Sequence, residues 1–427
     1  MSILIAGGRV VDPASGRDGP FDVLIDGEKI SKIARGLSAK GSSVFDAKGL
    51  LVFPGFIDLH VHLREPGFEY RESISSGSAA AAGGGFAAVC AMPNTDPVND
   101  SRAVTSWICD RAREVGGARV HPIGAITRGL KGEELAEFGE MKDAGAVAVS
   151  DDGRWVKSAA VMRTALEYAR LFDLPVATHA EEESLSARGA MNEGPVSTRL
   201  GLSAQPAEAE SLAVARDVAL AELTGGRLHV CHVSTAKSVA LIRDARKRGV
   251  RVTGEATPHH LLLTDEEVAR SGFSTNTKMN PPLRSPADSE ALLVAITDGT
   301  LDAVATDHAP HHPDEKAVDY ESAPFGVIGL ETAAALLYSE LVAPGRLPLG
   351  RMVELFTSGP AAAFSLAGGR LQEGGAADLT LFDPSAEWEV DSRSFLSRSR
   401  NTPFAGRKLH GRPAATFVAG REVYARR

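Results

Sequence analysis

Eight short apolar runs recur along the middle of the chain, each closed by polar or glycine-rich residues and followed by a stretch of helical character. In order they are GFIDLHVHL, GFAAVCAMPN, ARVHPIGAIT, GAVAVSDDG, DLPVATHAE, RLHVCHVST, VRVTGEATPHH and LDAVATDHAPH. Intervening stretches such as SAAVMRTALEYARLF and AESLAVARDVALAEL are rich in Ala, Leu and Glu. Their apolar residues fall three and four positions apart, the pattern of an amphipathic helix. Strand then helix, eight times over, is the arithmetic of an α/β chain closed into a TIM (β/α)8 barrel, with an open doubly wound sheet as the second choice.

Both ends depart from this rhythm. ILIAGGRVVDP, DVLIDGEKISKIARG and SVFDAKGLLVFPG at the start, and ADLTLFDP, EWEVD and AATFVAGREVYARR at the finish, carry β-branched residues punctuated by Gly, Asp and Pro. That is the composition of hairpin strands. Neither end supplies a core alone, so the two are expected to pair into one small β-sandwich. The domain reading is therefore 1–54 and 366–427 for the two parts of the sandwich, and 55–365 for the barrel.

The 427 residues are 43% apolar and 24% charged, enough to bury a sizeable core. A net charge of -9 argues against a nucleic-acid binder and against a polybasic membrane-surface protein. Cys90, Cys109 and Cys231 lack CxxC spacing and read as buried free thiols of a reducing cytosol. The opening MSILIAGGRVVDPASG has neither the cationic start nor the apolar core of a secretory signal. No run of about 18 apolar residues follows it, so a cytoplasmic protein is expected.

In a TIM barrel the chemistry gathers at the C-terminal ends of the strands. Five of the eight runs end on a candidate metal ligand: His60 and His62 after the first, Asp151 or Asp152 after the fourth, His179 after the fifth, His232 after the sixth and Asp307 after the eighth. Side chains alternate along a strand, so His60 and His62 are expected to face the barrel mouth together while Val61 faces the helices. Four imidazoles and two carboxylates make a nitrogen and oxygen set suited to one or two zinc-like ions. Such ions lower the pKa of bound water from 15.7 to about 7 and polarise a carbonyl, so hydrolytic chemistry is expected.

Three other features say less. AAAAGGGF, residues 79–86, reads as glycine ending a helix and entering a strand rather than as a phosphate loop. His259 and His260 read equally as supports for the ligands or as packed or surface groups. Residues 311–326, HHPDEKAVDYESAPFG, are polar and aperiodic, and form either a lid over the mouth or a solvated loop.

PGFIDLHVHLREPG, AMPNTDPV, SDDG, ATHAEE, HVCHVST, TPHHLLL, KMNPPLR, ATDHAPH and APFG follow one another along the chain. With these strings the chain resembles, nearly end to end, the amidohydrolase superfamily and within it the class I dihydroorotases of pyrimidine synthesis. The resemblance implies reversible closure of N-carbamoyl-L-aspartate to dihydroorotate plus water on a zinc centre. It implies that His60, His62 and Asp307 hold one ion, that His179 and His232 hold a second, and that Asp152, the second aspartate of SDDG, bridges them. Many superfamily members place a carboxylated lysine at the bridge, and this strand end offers none. Asp307 is implied to double as proton shuttle, taking a proton from the attacking hydroxide and delivering it to the departing ring nitrogen. The carboxylate outside the reacting amide calls for a cationic fork, and Arg64, two residues beyond His62, has that geometry. By the same resemblance His62, Asn94 and His311 border the substrate, and Asn280 with the Phe325 and Gly326 backbone meets the ring's amide edge.

The nearest rival is another cyclic-amide hydrolase. Hydantoinase-like chains use the carboxylated lysine, and allantoinase-like ones show asparagine where this chain has Arg64. A rival of a different class is a non-catalytic relative that serves as structural partner of aspartate carbamoyltransferase. Such relatives have lost ligands, whereas all six positions are filled here. Aspartate carbamoyltransferase stays a candidate partner of an active enzyme, and a homo-oligomer is expected.

Overall fold

The computed structural model describes residues 2–187 and 189–426. The eight apolar runs form eight parallel strands: Phe56–Val61, Phe86–Ala91, Arg119–Gly124, Ala148–Ser150, Val176–Thr178, Leu228–Val230, Val252–Ala256 and Ala303–Val304. They are hydrogen-bonded in chain order. A parallel bridge between Val61 and His308 closes the ring, with the His62 amide donating to the His308 carbonyl at 2.8 Å. A closed ring excludes the open doubly wound sheet. The two stretches singled out for helical spacing are the helices Ala159–Arg170 and Glu208–Thr224.

The strands read as continuous apolar runs because both faces are buried. Val61, Val89, Val149, Val176 and Val230 face the surrounding helices, while Leu59, Cys90, Ala148, Ala177 and Ala303 share an inner cluster. The register between the first two strands shifts twice, and the second shift bears on the ligands. Asp58 lies opposite Val89 but Val61 lies opposite Ala91, so the first strand takes three steps for its neighbour's two. This bulge brings His60 inward although Leu59 is already inside. The Asp58 carboxylate accepts the His60 amide at 3.0 Å across it.

Two further sheets join the chain ends. One has the order Lys29–Ala34, Asp22–Asp26, Ser2–Ala6, Ser43–Asp46; the other runs Arg421–Ala425, Lys408–Val418, Leu379–Glu389, Leu51–Pro54, Arg9–Asp12, Arg17–Pro20. Ile5, Val23, Ile25, Val52, Leu379 and Phe417 from both sheets form one buried core. ADLTLFDP and EWEVD belong to a single strand, Leu379–Glu389, whose register shifts between Asp383 and Glu387 around Pro384.

An aromatic cluster couples this unit to the barrel. Phe53 stacks on Phe56 with ring centroids 5.6 Å apart, and Phe56 meets Phe356 at 5.3 Å and Phe86 at 6.0 Å. At AAAAGGGF the helix Ile74–Gly83 ends and the strand starts at Phe86. Glycine is required there because a Cβ on Gly84 would sit 2.0 Å from the Leu330 carbonyl oxygen.

Residues 311–326 fold against the barrel instead of forming a solvated loop. Pro313–Lys316 is a helical turn, and the buried Lys316 ammonium donates to the carbonyls of Thr275 at 3.1 Å, Lys278 at 3.3 Å and Pro324 at 2.7 Å. Cys90 and Cys231 are buried and Cys109 half-buried, all three free. Among the described residues no helix is long and apolar enough to cross a membrane.

Phe56 is fully buried at the junction of strand, helix and sandwich. Phe56→Ala is expected to lower unfolding stability by about 3–5 kcal/mol, the usual cost of emptying a buried aromatic site. Urea unfolding followed by circular dichroism measures it, and a midpoint within error of the parent would show that the junction does not couple the two units.

Candidate active site

Local backbone geometry aims the six candidate ligands at one point. Asp307 has φ 46° and His232 φ 31°, both in the left-handed region, and Arg64 lies there too at 63°. Such positions cost about 1–3 kcal/mol each and persist where the surroundings over-determine them. Here the determinants are visible. The Asp58 carboxylate accepts from the Thr306 amide at 3.1 Å and its hydroxyl at 2.6 Å, fixing the residue before Asp307. The Asp151 carboxylate accepts the amides of Ile126 at 2.8 Å and Thr127 at 2.9 Å, and the Thr127 hydroxyl. Asp151 is thus occupied with backbone, and its neighbour Asp152 is the one that faces the imidazoles.

Two ligand groups result: His60, His62 and Asp307, and Asp152, His179 and His232. His60 Nε2 lies 3.3 Å from Asp152 Oδ1 and 3.5 Å from Asp307 Oδ1. His62 Nε2 lies 3.2 Å from Asp307 Oδ1 and 3.4 Å from Asp152 Oδ2. On the other side Asp152 Oδ1 is 3.6 Å from His179 Nδ1 and 3.7 Å from His232 Nε2, and those two nitrogens are 2.9 Å apart. Asp152 therefore spans both groups with its two oxygens. All six side chains are buried.

These spacings fit a metal. Donors bound at about 2.0–2.1 Å in a tetrahedron are separated by about 3.3–3.4 Å, the middle of the observed range. His60 Nε2 and Asp152 Oδ1 are buried without a hydrogen-bond partner, which is costly for polar atoms unless something else occupies the space between them. Electrostatics point the same way. Burial opposes charge on every group, yet the imidazoles around Asp152 and Asp307 hold both carboxyls well below the usual carboxylate range. Against burial, Asp152 and Asp307 hold the His60 imidazolium well above its ordinary pKa, and Asp152 with Glu181 raises His179 to about 10. Burial, with Arg64 adding to it, lowers His62. Protons on imidazoles here balance buried carboxylates, a task that a divalent cation performs while leaving the imidazoles neutral, as ligation requires.

A second ring of acids orients the ligands. Glu255 accepts from His60 Nδ1 at 2.9 Å and from His229 Nε2 at 3.1 Å; Glu181 lies 3.1 Å from His179 Nε2. With Nδ1 committed to Glu255, His60 presents Nε2 to the site, the outer-shell arrangement that fixes tautomer and ring angle. Sequence reading missed Asp58, Glu181 and Glu255. The available signal was an acidic residue inside an apolar strand, as in FIDLH and VTGEA, where burial demands a partner. His260 is a packed group, 2.8 Å from the Thr257 hydroxyl and 2.9 Å from the Pro281 carbonyl. His259 is also buried, with Nε2 unpartnered.

A cavity of about 390 Å³ opens beside the ligands and is bordered by Arg64, Asn94, Asn280, His311, Phe325 and Gly326. Arg64 is 9% exposed, and its guanidinium donates only to the Pro310 carbonyl, at 3.2 Å. It has no carboxylate partner among the described residues, and burial together with Arg71 lowers its pKa to about 10. Asn94 Oδ1 accepts from His62 Nδ1 at 2.9 Å, which leaves its amide NH₂ toward the cavity. Asn280 donates to Glu181 at 2.7 Å. His311 Nε2 donates to the Phe325 carbonyl at 2.8 Å, so that ring is tied to the opposite wall. A larger hollow of about 730 Å³ adjoins, sharing Gly153, Asn280 and Phe325, and opens the site toward solvent.

The chain matches a family model described as dihydro-orotase-like over residues 49–238. It is 54% identical to the dihydroorotase of Anaeromyxobacter sp. (strain K), over 99% of this chain and 98% of that one. Identity is again 54% to the dihydroorotase of Syntrophotalea carbinolica, over 99% of each. Among solved structures it resembles L-hydantoinase (dihydropyrimidinase) from Arthrobacter aurescens, with a TM-score of 0.89 at 26% identity over 99% of this chain and 96% of that one. Dihydropyrimidinase from Brevibacillus agri NCHU1002 gives 0.86 at 26% over 100% and 95%. Full-length identity at this level, on a barrel whose strand ends converge on histidine and aspartate, places the chain in the dihydroorotase family of the amidohydrolase superfamily.

Proposed function

We propose that this chain catalyses the dihydroorotase reaction, the reversible cyclisation of N-carbamoyl-L-aspartate to dihydroorotate plus water, in pyrimidine synthesis. The observation that carries the reading is the buried, unpaired guanidinium of Arg64 opening on the same cavity as six metal-ligand side chains. Ligand clusters of this kind suit cyclic amides in general. A carboxylate beside the amide is what distinguishes dihydroorotate from neutral hydantoins, and a site built around a charged group rejects analogues lacking it by about 10⁴ to 10⁵.

In this proposal zinc is the metal, one or two ions per chain, held by His60, His62 and Asp307 and by His179 and His232, with Asp152 between. When bound, such ions lower the pKa of water to about 7 and polarise a carbonyl oxygen. The protein groups do the rest. Arg64 grips the substrate carboxylate with its two free NH₂ groups, and the Asn94 amide adds a donor. His311 shapes the same wall through its bond to Phe325, and Asn280 with the Phe325 and Gly326 backbone meets the ring's amide edge. In the hydrolytic direction Asp307 takes a proton from the attacking water and passes it to the departing ring nitrogen; in synthesis the transfer runs backwards. A cytoplasmic enzyme, a homo-oligomeric state and association with aspartate carbamoyltransferase complete the proposal.

The deciding experiment assays dihydroorotate hydrolysis and carbamoyl aspartate cyclisation on one preparation, with hydantoin as comparison substrate and metal measured by elemental analysis. Turnover of both acids, little of hydantoin, and loss of activity on chelation with recovery on adding zinc are expected. Turnover of hydantoin above that of dihydroorotate would transfer the chain to the hydantoinase reading.

Asp307→Asn keeps an oxygen donor but removes the proton carrier. It is expected to lower kcat at least about a hundredfold; near-parental kcat at equal metal content would remove Asp307 from proton transfer. Arg64→Ala deletes a charge-assisted contact of about 1.5–3 kcal/mol, so KM for both substrates is expected to rise about 10- to 100-fold. Unchanged saturation curves would show that the carboxylate is anchored elsewhere.

A further inference from the structure

The connection between the sandwich strands Leu379–Glu389 and Lys408–Val418 is far longer than the two to five residues or so that an antiparallel pair ordinarily uses. It leaves the sandwich and packs against the segments that follow the first and eighth barrel strands. Residues 396–401, LSRSRN, are stitched there by a succession of polar contacts. The Glu331 carboxylate accepts the amides of Leu396 at 3.0 Å and Ser397 at 3.1 Å. Glu72 accepts the Arg398 amide at 3.2 Å and the Ser397 hydroxyl. The Ser399 hydroxyl lies 2.8 Å from the Arg71 carbonyl and 2.9 Å from the His311 carbonyl.

Asn401 ends the run and uses every polar atom of its side chain. Its amide NH₂ donates to the Ala309 carbonyl at 3.1 Å and to the Gly326 carbonyl at 3.0 Å; its Oδ1 accepts the His311 amide at 3.3 Å. Its own carbonyl accepts the Ile328 amide at 3.0 Å. The side chain is 4% exposed and stands behind the cavity wall without bordering the cavity itself. One carboxamide thus ties the segment that follows Asp307 to the segment carrying Phe325 and Gly326.

We infer that residues 396–401 form a strap that sets the spacing of the substrate-facing wall, and that Asn401 is its positioning residue. The inference rests on the dihydroorotase reading, since the wall it braces is the one assigned there to the carboxylate and the ring amide. Contacts from this wall hold substrate equally before and during reaction, so loosening it weakens binding more than chemistry. Displacements of about 1 Å at such walls can cost up to about a hundredfold.

The test measures kcat and KM for dihydroorotate and N-carbamoyl-L-aspartate in the metal-loaded parent, Asn401→Ala and Asn401→Asp, with metal content and Tm on each sample. Asn401→Asp keeps the acceptor for the His311 amide but loses both donors, so it is expected to behave like the alanine variant. The expected result is KM raised about tenfold or more, kcat within about threefold and parental metal content, with a Tm lowered by the lost buried hydrogen bonds but still well above the assay temperature. An active parent whose variants retain the parental KM, or lose activity only in step with Tm or metal, overturns the strap alone. A parent inactive on both acids overturns the functional reading and the strap with it. If neither Asn401 variant folds, Ser399→Ala, which deletes a single hydroxyl, decides: a higher KM at parental Tm supports the strap, and an unchanged KM overturns it.

Discussion

One buried carboxylate joins the first strand of the barrel to the last. Asp58, on the first barrel strand, accepts hydrogen bonds from Thr306 at the end of the eighth and from the His60 amide beside it. Closing a ring between strands so distant in sequence carries a loop-closure entropy that only long-range contacts repay. Asp58 makes those contacts where the first and last ligands must meet, one residue before Asp307 and two before His60. Burial raises its pKa to about 7 even though Thr306 and the His60 amide favour the ionised form. Closure and ligand placement are thus one act, because the same oxygen atoms hold the seam and set the backbone that aims the ligands. Asp151 repeats the device between the third and fourth strands and releases Asp152 to the site.

The acids around the ligands follow from the same constraint. A cluster of imidazoles and carboxylates cannot be buried unless each unused polar atom has a partner. Glu255 supplies one for His60 and His229, and those imidazoles hold its pKa at about 2 against burial. Glu181 does likewise for His179 and Asn280, also at about 2. The result is a site whose ligands turn atoms toward a common centre while the outer nitrogens of His60, His62 and His179 are paired with Glu255, Asn94 and Glu181. Rigid placement of this kind is what a hydrolytic metal site needs, since ligand orientation and tautomer are settled before the ion arrives.

Much of this was legible in the sequence, for physical reasons that differ by residue. Strand periodicity and helical spacing are local properties, so the eight runs and the barrel could be read directly, and His60, His62, His179, His232 and Asp307 stood out as polar ends to apolar strands. The bulge at Asp58 could not be read, because a register shift depends on the partner strand. Simple alternation gave the correct faces for His62 and Val61 but not for Leu59 and His60 together. Glu255 sits mid-strand, where a charged residue looks like an anomaly until its imidazole partners, contributed by other strands, are in place. Asn401 lay furthest from view: it belongs to the stretch read as sandwich, and only the folded chain brings it against the barrel mouth.

The likeness to hydantoinases narrows where specificity resides. At 26% identity and a TM-score of 0.89, the fold is shared along 99% of this chain with the Arthrobacter aurescens enzyme. The fold as a whole therefore does not choose the substrate. On the proposed reading that choice falls to short segments at the strand ends: the Arg64 turn, the wall around His311 and Phe325, and the Asp152 carboxylate. The small β unit then has a structural reason to exist in this chain. It anchors both ends of the connection that packs against the barrel rim, so in the inference drawn above a sheet built from the two termini braces a wall built from the loops after the eighth strand.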